Sequence, residues 1–219
     1  MIFPESGKPY LIVLEGPAGV GKTTLQHFLW QAFIANGIKA SLLPEFSDSP
    51  LGEALRSNTN YGQPKPSWVL SAGGVLAFLA DKLYLLEAAA RNPSDVWIAD
   101  RFITSQLILG LSGIETEQDR ELMRQIIMLI FQLIDEHFSD GSCLVFMEAP
   151  LDVLKQRLQK RTGQLLSQAQ MLLLEEEIRQ YAHLTFPWNK WNQFHLNSSA
   201  PLESLAKQLI SAISSQWTK

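Results

Sequence analysis

A chain of 219 residues with 46% apolar and 18% charged side chains has the composition of a globular domain and the length to bury one sizeable core. Its formal net charge of −4 supplies no basic excess for nucleic acid or an anionic membrane surface, so neither is expected as a partner. The single cysteine, Cys143, excludes an internal disulfide, and within SCLVFMEAP it reads as a buried, inert thiol. At the amino terminus, MIFPESGKPY has no basic segment followed by an apolar run, so no signal peptide is expected. No stretch approaches the ~20 apolar residues of a membrane helix. The run MRQIIMLIFQLIDEHF comes nearest, but its polar residues recur at helical spacing. A soluble, cytoplasmic protein is the expectation.

In chain order, PYLIVLEG predicts a strand that stops at glycine, and KTTLQHFLWQAFIANG a helix ended by Gly37. IKASLLPE reads as a second strand, and SPLGEALRS as a short helix with Pro50 in its first turn. NTNYGQPKP is a polar surface loop. A long apolar helix is predicted from Ser67 to Arg91, closed by NPSD, with Gly73 and Gly74 allowing close packing or a ligand's approach. VWIAD is a third strand, FITSQLILG begins another helix, and ETEQDRELMRQIIMLIFQLIDEHF is long and amphipathic. CLVFMEAP is a fourth strand with the helix LDVLKQRLQKR behind it. LSQAQMLLLEEEIRQYAHLTF is helical, with Glu175 to Glu177 as a solvated face, and FPWNKW reads as a packed loop. QFHLNSS is a short strand, and PLESLAKQLISAISSQW a closing helix capped near Ser199. Apolar strands alternating with helices predict an α/β fold of three layers, a five-stranded parallel sheet with helices on both faces. Residues 1–219 are expected to form one domain, with a short lid around 157–170.

The segment Gly16-Pro17-Ala18-Gly19-Val20-Gly21-Lys22-Thr23 matches G-x-x-x-x-G-K-[ST] in full, between a predicted strand and a predicted helix. Glycines let backbone N–H groups turn inward on phosphates, and the helix that follows points its positive end at them. Lys22 reaches β and γ oxygens, the Thr23 hydroxyl ligates Mg²⁺, and Thr24 completes the ATP-binding segment. This is the sequence of a P-loop, and it predicts a bound nucleoside triphosphate.

The rest of the chain says where the phosphate goes. NKWN at Asn189 to Asn192 lacks the final aspartate of a guanine-reading box. LSAGGV at Leu70 to Val75 imitates a transporter-ATPase signature, but Arg101, not a glutamate, follows Asp100. An aspartate for Mg²⁺ or its waters, followed by a fork-shaped cation, suits a kinase whose acceptor is itself anionic. Asp100 as an ordinary helix-start residue beside a surface arginine is the bland alternative. The four histidines, His27, His137, His183 and His195, show no metal-ligand spacing.

With these residues in place, the chain resembles the thymidylate kinases over nearly its full length, and hence a P-loop kinase fold. LEGPAGVGKTTL resembles the family's cradle. PEFSDSPLGEALR resembles its arginine-glutamate-proline-glycine-glycine-threonine segment, with Glu45, Pro50, Gly52 and Arg56 in register. VLAFLADKLYLLE resembles the acceptor-side helix, with Phe78 where the family stacks a phenylalanine on the base and Lys82 where it uses an arginine. IADRFITSQ carries Asp100, Arg101 and Ser105 in the D-R-[YH] segment. MEAPLDVLKQRLQKR leads to the lid with Arg157 and Arg161. The resemblance implies transfer from ATP, with Mg²⁺, to dTMP or a related nucleotide, and pairing of two copies through long helices. It assigns Lys22, Arg101, Arg157 and Arg161 to catalysis, and Glu45, Arg56, Phe78, Lys82, Arg101 and Ser105 to the acceptor. Thr23 and Asp100 are assigned to the metal.

Several positions depart from the family. Ile108, Leu109 and Gly110 stand where an alanine-tyrosine-glutamine triplet holds the deoxynucleotide; Pro44 replaces an arginine, and Ser47 and Asp48 a glycine pair. The lid, TGQLLSQAQ, is neutral. These departures keep two alternatives open, a deoxynucleoside kinase and a non-catalytic nucleotide-binding protein. Deoxynucleoside kinases carry glutamate-arginine-serine where this chain has Asp100-Arg101-Phe102. The loop also lacks an arginine of its own, so Arg161, nearer the mobile end of its helix, is expected to neutralise the transferring group, with Arg157 as its support.

Overall fold

The first strand, β1 (Tyr10–Glu15), is buried at all six positions, and its alternation divides the molecule. Tyr10, Ile12 and Leu14 enter one core cluster, Leu11 and Val13 the other, as the period of two requires. A computed structural model describes residues 7–59, 65–183 and 190–217. The other strands are β2 (Ala40–Leu43), β3 (Val96–Asp100), β4 (Cys143–Glu148) and β5 (Asn192–Asn197). All pairings are parallel and the order is β2-β3-β1-β4-β5, the five-stranded sheet that the apolar runs predict.

On the first face, Leu25, Leu29 and Phe33 of α1 (Lys22–Ala35) meet Leu154 and Leu158 of α5 (Leu151–Thr162). Leu174 of α6 (Gln168–Ala182) and Leu209 and Ile213 of α7 (Leu202–Trp217) complete this cluster. On the second, Val75 and Leu79 of α3 (Ala72–Ala90) meet Met123, Ile127, Phe131 and Ile134 of α4 (Glu117–Asp135). Side-chain caps fix the starts. Ser49 accepts from the Gly52 N–H at 3.0 Å at the head of α2 (Pro50–Asn58), and Thr116 from Asp119 at 3.1 Å. Ser167 and Gln170 form a reciprocal capping box on α6. Cys143 is buried, and burial pushes its thiol pKa up, as an inert core cysteine requires. Among the described residues no helix is long and apolar enough to cross a membrane.

Three boundaries differ from the sequence reading. The helix expected from Ser67 begins at Ala72, because Ser71 caps it and residues 67–70 form a turn folded onto its start. A side chain at Gly74 would collide with the Trp68 and Val69 carbonyls, so that glycine serves close packing. FITSQLILG forms a short π-helix (Gln106–Gly110) and a 3₁₀ turn (Leu111–Gly113) in place of an α-helix. The Glu15 carboxylate accepts from the Phe102 N–H and the Thr104 and Ser105 hydroxyls, which diverts the chain before a regular turn can start. The closing helix starts at Leu202, its first bond accepted by the Pro201 carbonyl, so Ser199 does not cap it. Within FPWNKW, Trp191 is buried beside Phe131 and Phe138 and donates to Asp135 at 2.6 Å; Phe186 and Trp188 lie outside the described residues. Residues 60–64 of the NTNYGQPKP loop lie outside them too.

Buried Gln26 of α1 ties the sheet to the site, its amide donating to the Leu43 carbonyl at 3.0 Å and the Ile98 carbonyl at 2.8 Å. These carbonyls sit near the ends of β2 and β3, just before Glu45 and Asp100. Gln26→Leu removes both donors while keeping the volume, and should cost about 1–3 kcal/mol in urea unfolding. A loss below ~0.5 kcal/mol would show that the two strand ends need no such brace.

Candidate active site

The site begins where β1 turns into α1. Gly16 has φ +144°, and a side chain there would collide with the Met147 carbonyl at the end of β4, so only glycine lets the loop cross that strand. The loop wraps around the buried Lys22, whose Nζ donates to the Gly16 carbonyl at 2.8 Å and the Pro17 carbonyl at 3.1 Å. Burial first, and the nearby Arg101 charge second, lower the Lys22 pKa to about 8, against the pull of Asp100, Glu177 and Glu45. An ammonium held on two carbonyls at the mouth of a phosphate loop is poised for a stronger anion.

Parallel register sets Asp100 beside Leu14, so β3 delivers its last residue directly to the loop. The Thr23 hydroxyl donates to Asp100 Oδ2, while Asp100 Oδ1 is buried and has no hydrogen-bond partner among the described residues. A hydroxyl and an orphaned carboxylate oxygen are hard oxygen donors, which fits Mg²⁺ and its waters. Among the described residues no cluster of three acidic, histidine or cysteine side chains offers a further metal site.

Arg101 follows with φ 59°, a left-handed backbone rare outside glycine, and its N–H donates to the Leu14 carbonyl at 3.0 Å. That turn puts the guanidinium beside the loop, where every nitrogen has a neighbour. Nη2 donates to Glu177 Oε1 at 2.7 Å, Nη1 to the Tyr181 hydroxyl at 3.3 Å, and Nε lies 3.5 Å from Glu45 Oε1. Burial opposes its charge, but Tyr181, Glu177 and Glu45 outweigh that and raise its pKa well above the ordinary arginine value. Glu177 also accepts from the Ala18 N–H at 3.1 Å. Burial disfavours its ionised form, yet Arg101, Lys22 and the Ala18 amide hold its pKa below the usual carboxylate value.

Glu177 corrects the sequence reading. The acidic run is not a solvated face throughout, since Glu177 is only 8% exposed and points into the site. Its neighbours on α6 carried the signal: Leu174, Ile178 and Tyr181 recur at helical spacing, and Glu177 lies within that stripe. Tyr181 donates to Glu15 Oε2 at 2.9 Å, and burial first, then Glu15 and Glu177, raise its phenol pKa. Ser105, assigned to the acceptor, has its hydroxyl on the same Glu15 carboxylate at 2.8 and 3.0 Å.

On α3, Lys82 is buried and donates to the Glu45 and Pro44 carbonyls. Desolvation lowers its pKa, against the pull of Glu45 and Asp81. Asp81, unremarked in the sequence reading, accepts from the Ser47 N–H at 3.0 Å and from both serine hydroxyls of the turn, Ser47 and Ser49. Arg56 donates to the Phe46 and Ser47 carbonyls at 3.2 and 3.1 Å, and Phe78 sits 5.7 Å from Phe46, ring to ring. Lys65 stands exposed at the rim, within the fields of Glu177, Arg101 and Glu45, where partial desolvation lowers its pKa.

Arg157 and Arg161, both expected near a lid, have different surroundings. Arg157 donates to the Val20 carbonyl at 3.2 Å and to Ser198 at 3.0 and 2.7 Å, tying the phosphate loop to the end of β5. Arg161 is exposed and makes no hydrogen bond or ion pair with the described residues.

A thymidylate kinase family model matches residues 14–209, nearly the whole chain. The chain belongs to the thymidylate kinase family. It is similar to a thymidylate kinase of Gluconobacter oxydans (strain 621H), 31% identical over 109 residues, which cover 50% of this chain and 51% of that protein. A thymidylate kinase of Acinetobacter baumannii (strain AYE) is 27% identical over 157 residues, 68% of this chain and 72% of its own length. This chain thus spans about half the length of the first relative and about seven-tenths of the second. Within the family's frame, the phosphate loop, Asp100 and Arg101 converge here, whereas Arg161 stands apart.

The Lys22 environment generates a pH dependence. Phosphate oxygens would raise the Lys22 pKa above its free value of about 8, so a triphosphate binds best to the protonated form. Affinity should therefore be full below that value and fall as pH rises through it, with net proton uptake on binding near pH 8.5. Calorimetry of ATP binding in two buffers of different ionisation enthalpy checks this. Proton uptake unchanged in Lys22→Met would assign the effect to another group.

Proposed function

We propose that this protein transfers the γ-phosphoryl group of Mg²⁺-ATP to a nucleoside monophosphate, with dTMP as the first acceptor to try. The observation that carries the reading is the corner made by Asp100 and Arg101. It sets a carboxylate oxygen and a fork-shaped cation beside a complete phosphate loop. Membership of the thymidylate kinase family supports the same reaction class.

In this reading the loop amides and Lys22 hold the donor, the ammonium exchanging the Gly16 and Pro17 carbonyls for phosphate oxygens. Thr23 and Asp100 would hold Mg²⁺, which would supply charge neutralisation to the transferring phosphates. Arg101 takes the acceptor phosphate with its fork, and Phe78 and Lys82 border the pocket for the base. The transfer itself needs positioning and charge neutralisation more than covalent help from the protein. Arg161 is an exposed cation on the lid side with no partner among the described residues, and closure would bring it over the transferring group. Pairing of two copies belongs to the same proposal, and α4 leaves Leu122, Leu129 and Leu133 exposed on one stripe.

Arg101→Ala tests the acceptor assignment. It should raise the KM for dTMP by roughly 10- to 100-fold, far more than any change in the KM for ATP. An equal loss for ATP would move Arg101 to the donor side. A parent enzyme that prefers uncharged thymidine over dTMP would overturn the monophosphate reading.

Arg161→Ala tests the lid. The kcat should fall by about 10³ while ATP binding is nearly unchanged. A kcat within a few-fold of the parent would remove Arg161 from the mechanism.

A further inference from the structure

Glu177 touches both halves of the site at once. Oε2 accepts from the amide of Ala18 in the phosphate loop at 3.1 Å, and Oε1 takes Nη2 of Arg101 at 2.7 Å. Both side chains of that ion pair are only 10% exposed, so water screens it little. The helix that carries Glu177 is fastened by the same contacts, since Tyr181 receives from Arg101 and donates to Glu15. Ala18 carries only a methyl group, which leaves its amide open to a carboxylate from another element.

Without nucleotide, then, a carboxylate of the chain lies where two phosphate-bearing substrates would bring their charge. One oxygen lies on the donor loop and the other on the acceptor's cation. We propose that Glu177 is a coupling residue: an internal anion that either substrate must dislodge, so that the first to bind prepares the site for the second. This inference rests on the phosphoryl-transfer reading above. A donor phosphate repels the carboxylate from the loop, and an acceptor phosphate competes for the Arg101 fork. Either event breaks one of two contacts made by a single group and loosens the other. The free energy spent in dislodging Glu177 is met once, so the second substrate binds more tightly, and linkage makes the effect reciprocal. A nucleoside without phosphate leaves the Arg101–Glu177 pair intact and does not prepare the donor loop.

A residue that merely orients Arg101 behaves differently. Its loss would weaken the acceptor alone and leave the donor untouched.

The test is calorimetric titration of the full chain with a non-hydrolysable Mg²⁺-ATP analogue and with dTMP, each alone and with the other saturating. Parent and Glu177→Gln are compared, the variant keeping shape and losing charge. Each ligand alone should bind Glu177→Gln roughly fivefold or more tightly than the parent, and the mutual enhancement seen in the parent should largely vanish. Glu177→Asp keeps the charge but is one methylene too short to reach both partners. It should lose the enhancement too, which keeps the inference testable if the amide variant folds poorly. An analogue that binds the variants no more tightly than the parent would overturn it, as would weaker dTMP binding with the enhancement retained. If dTMP binds none of the three proteins, the monophosphate-acceptor reading fails instead. The analogue titration alone then decides whether Glu177 occupies the donor loop.

Discussion

A guanidinium buried at the end of a parallel strand has to be neutralised where it stands, and much of this site follows from that constraint. Arg101 gets there through a left-handed backbone turn anchored on the Leu14 carbonyl. Once there it draws Glu45 from the end of β2, and Glu177 and Tyr181 from α6. Glu15, buried at the end of β1, takes the Tyr181 hydroxyl and the first turn after β3. Elements far apart in sequence are thereby gathered at the carboxyl ends of adjacent strands, where open parallel sheets place their ligands. Removing the arginine would leave buried Glu177 without its ion-pair partner and half-exposed Glu45 without its guanidinium neighbour, which is why its loss is expected to be felt beyond one contact.

The donor side is arranged by a second constraint, the low polarity around Lys22. Its ammonium is kept on backbone carbonyls and its pKa is lowered to about 8, so the charge is retained near neutral pH but held weakly. Such a cation gains much from a phosphate, because the ligand supplies what burial has removed. Arg157 serves the same loop from outside, clamping the Val20 carbonyl to Ser198, so it acts on the cradle's shape through the backbone. Arg161, four residues on, is exposed and has no partner among the described residues.

The sheet and the donor loop were legible because their signals are local. Apolar runs of strand length, a glycine pattern and a strand-ending Asp-Arg each sit within a few residues. The π-helix was not, since its cause is a carboxylate 87 residues away in β1 that captures the chain at Phe102. Glu177 was misread for a related reason: three consecutive glutamates look alike until the helix turns one of them inward, 159 residues from its partner Ala18. Asp81 likewise answers to serines on another segment, which no spacing rule reveals. The contacts that define the acceptor side are long-range pairings of charge, and a helical pattern records burial better than it records partners.

In the proposed reaction, Arg101 and the phosphate loop hold two anionic substrates in line for transfer. Phosphorus NMR of the protein with Mg²⁺-ATP and dTMP, beside a parallel sample with thymidine, tests it most directly. The γ-phosphoryl signal should move into dTDP, with ADP formed in step and little change in the thymidine sample. Release of the γ-phosphoryl group only as inorganic phosphate, or phosphorylation of thymidine in preference to dTMP, would contradict it.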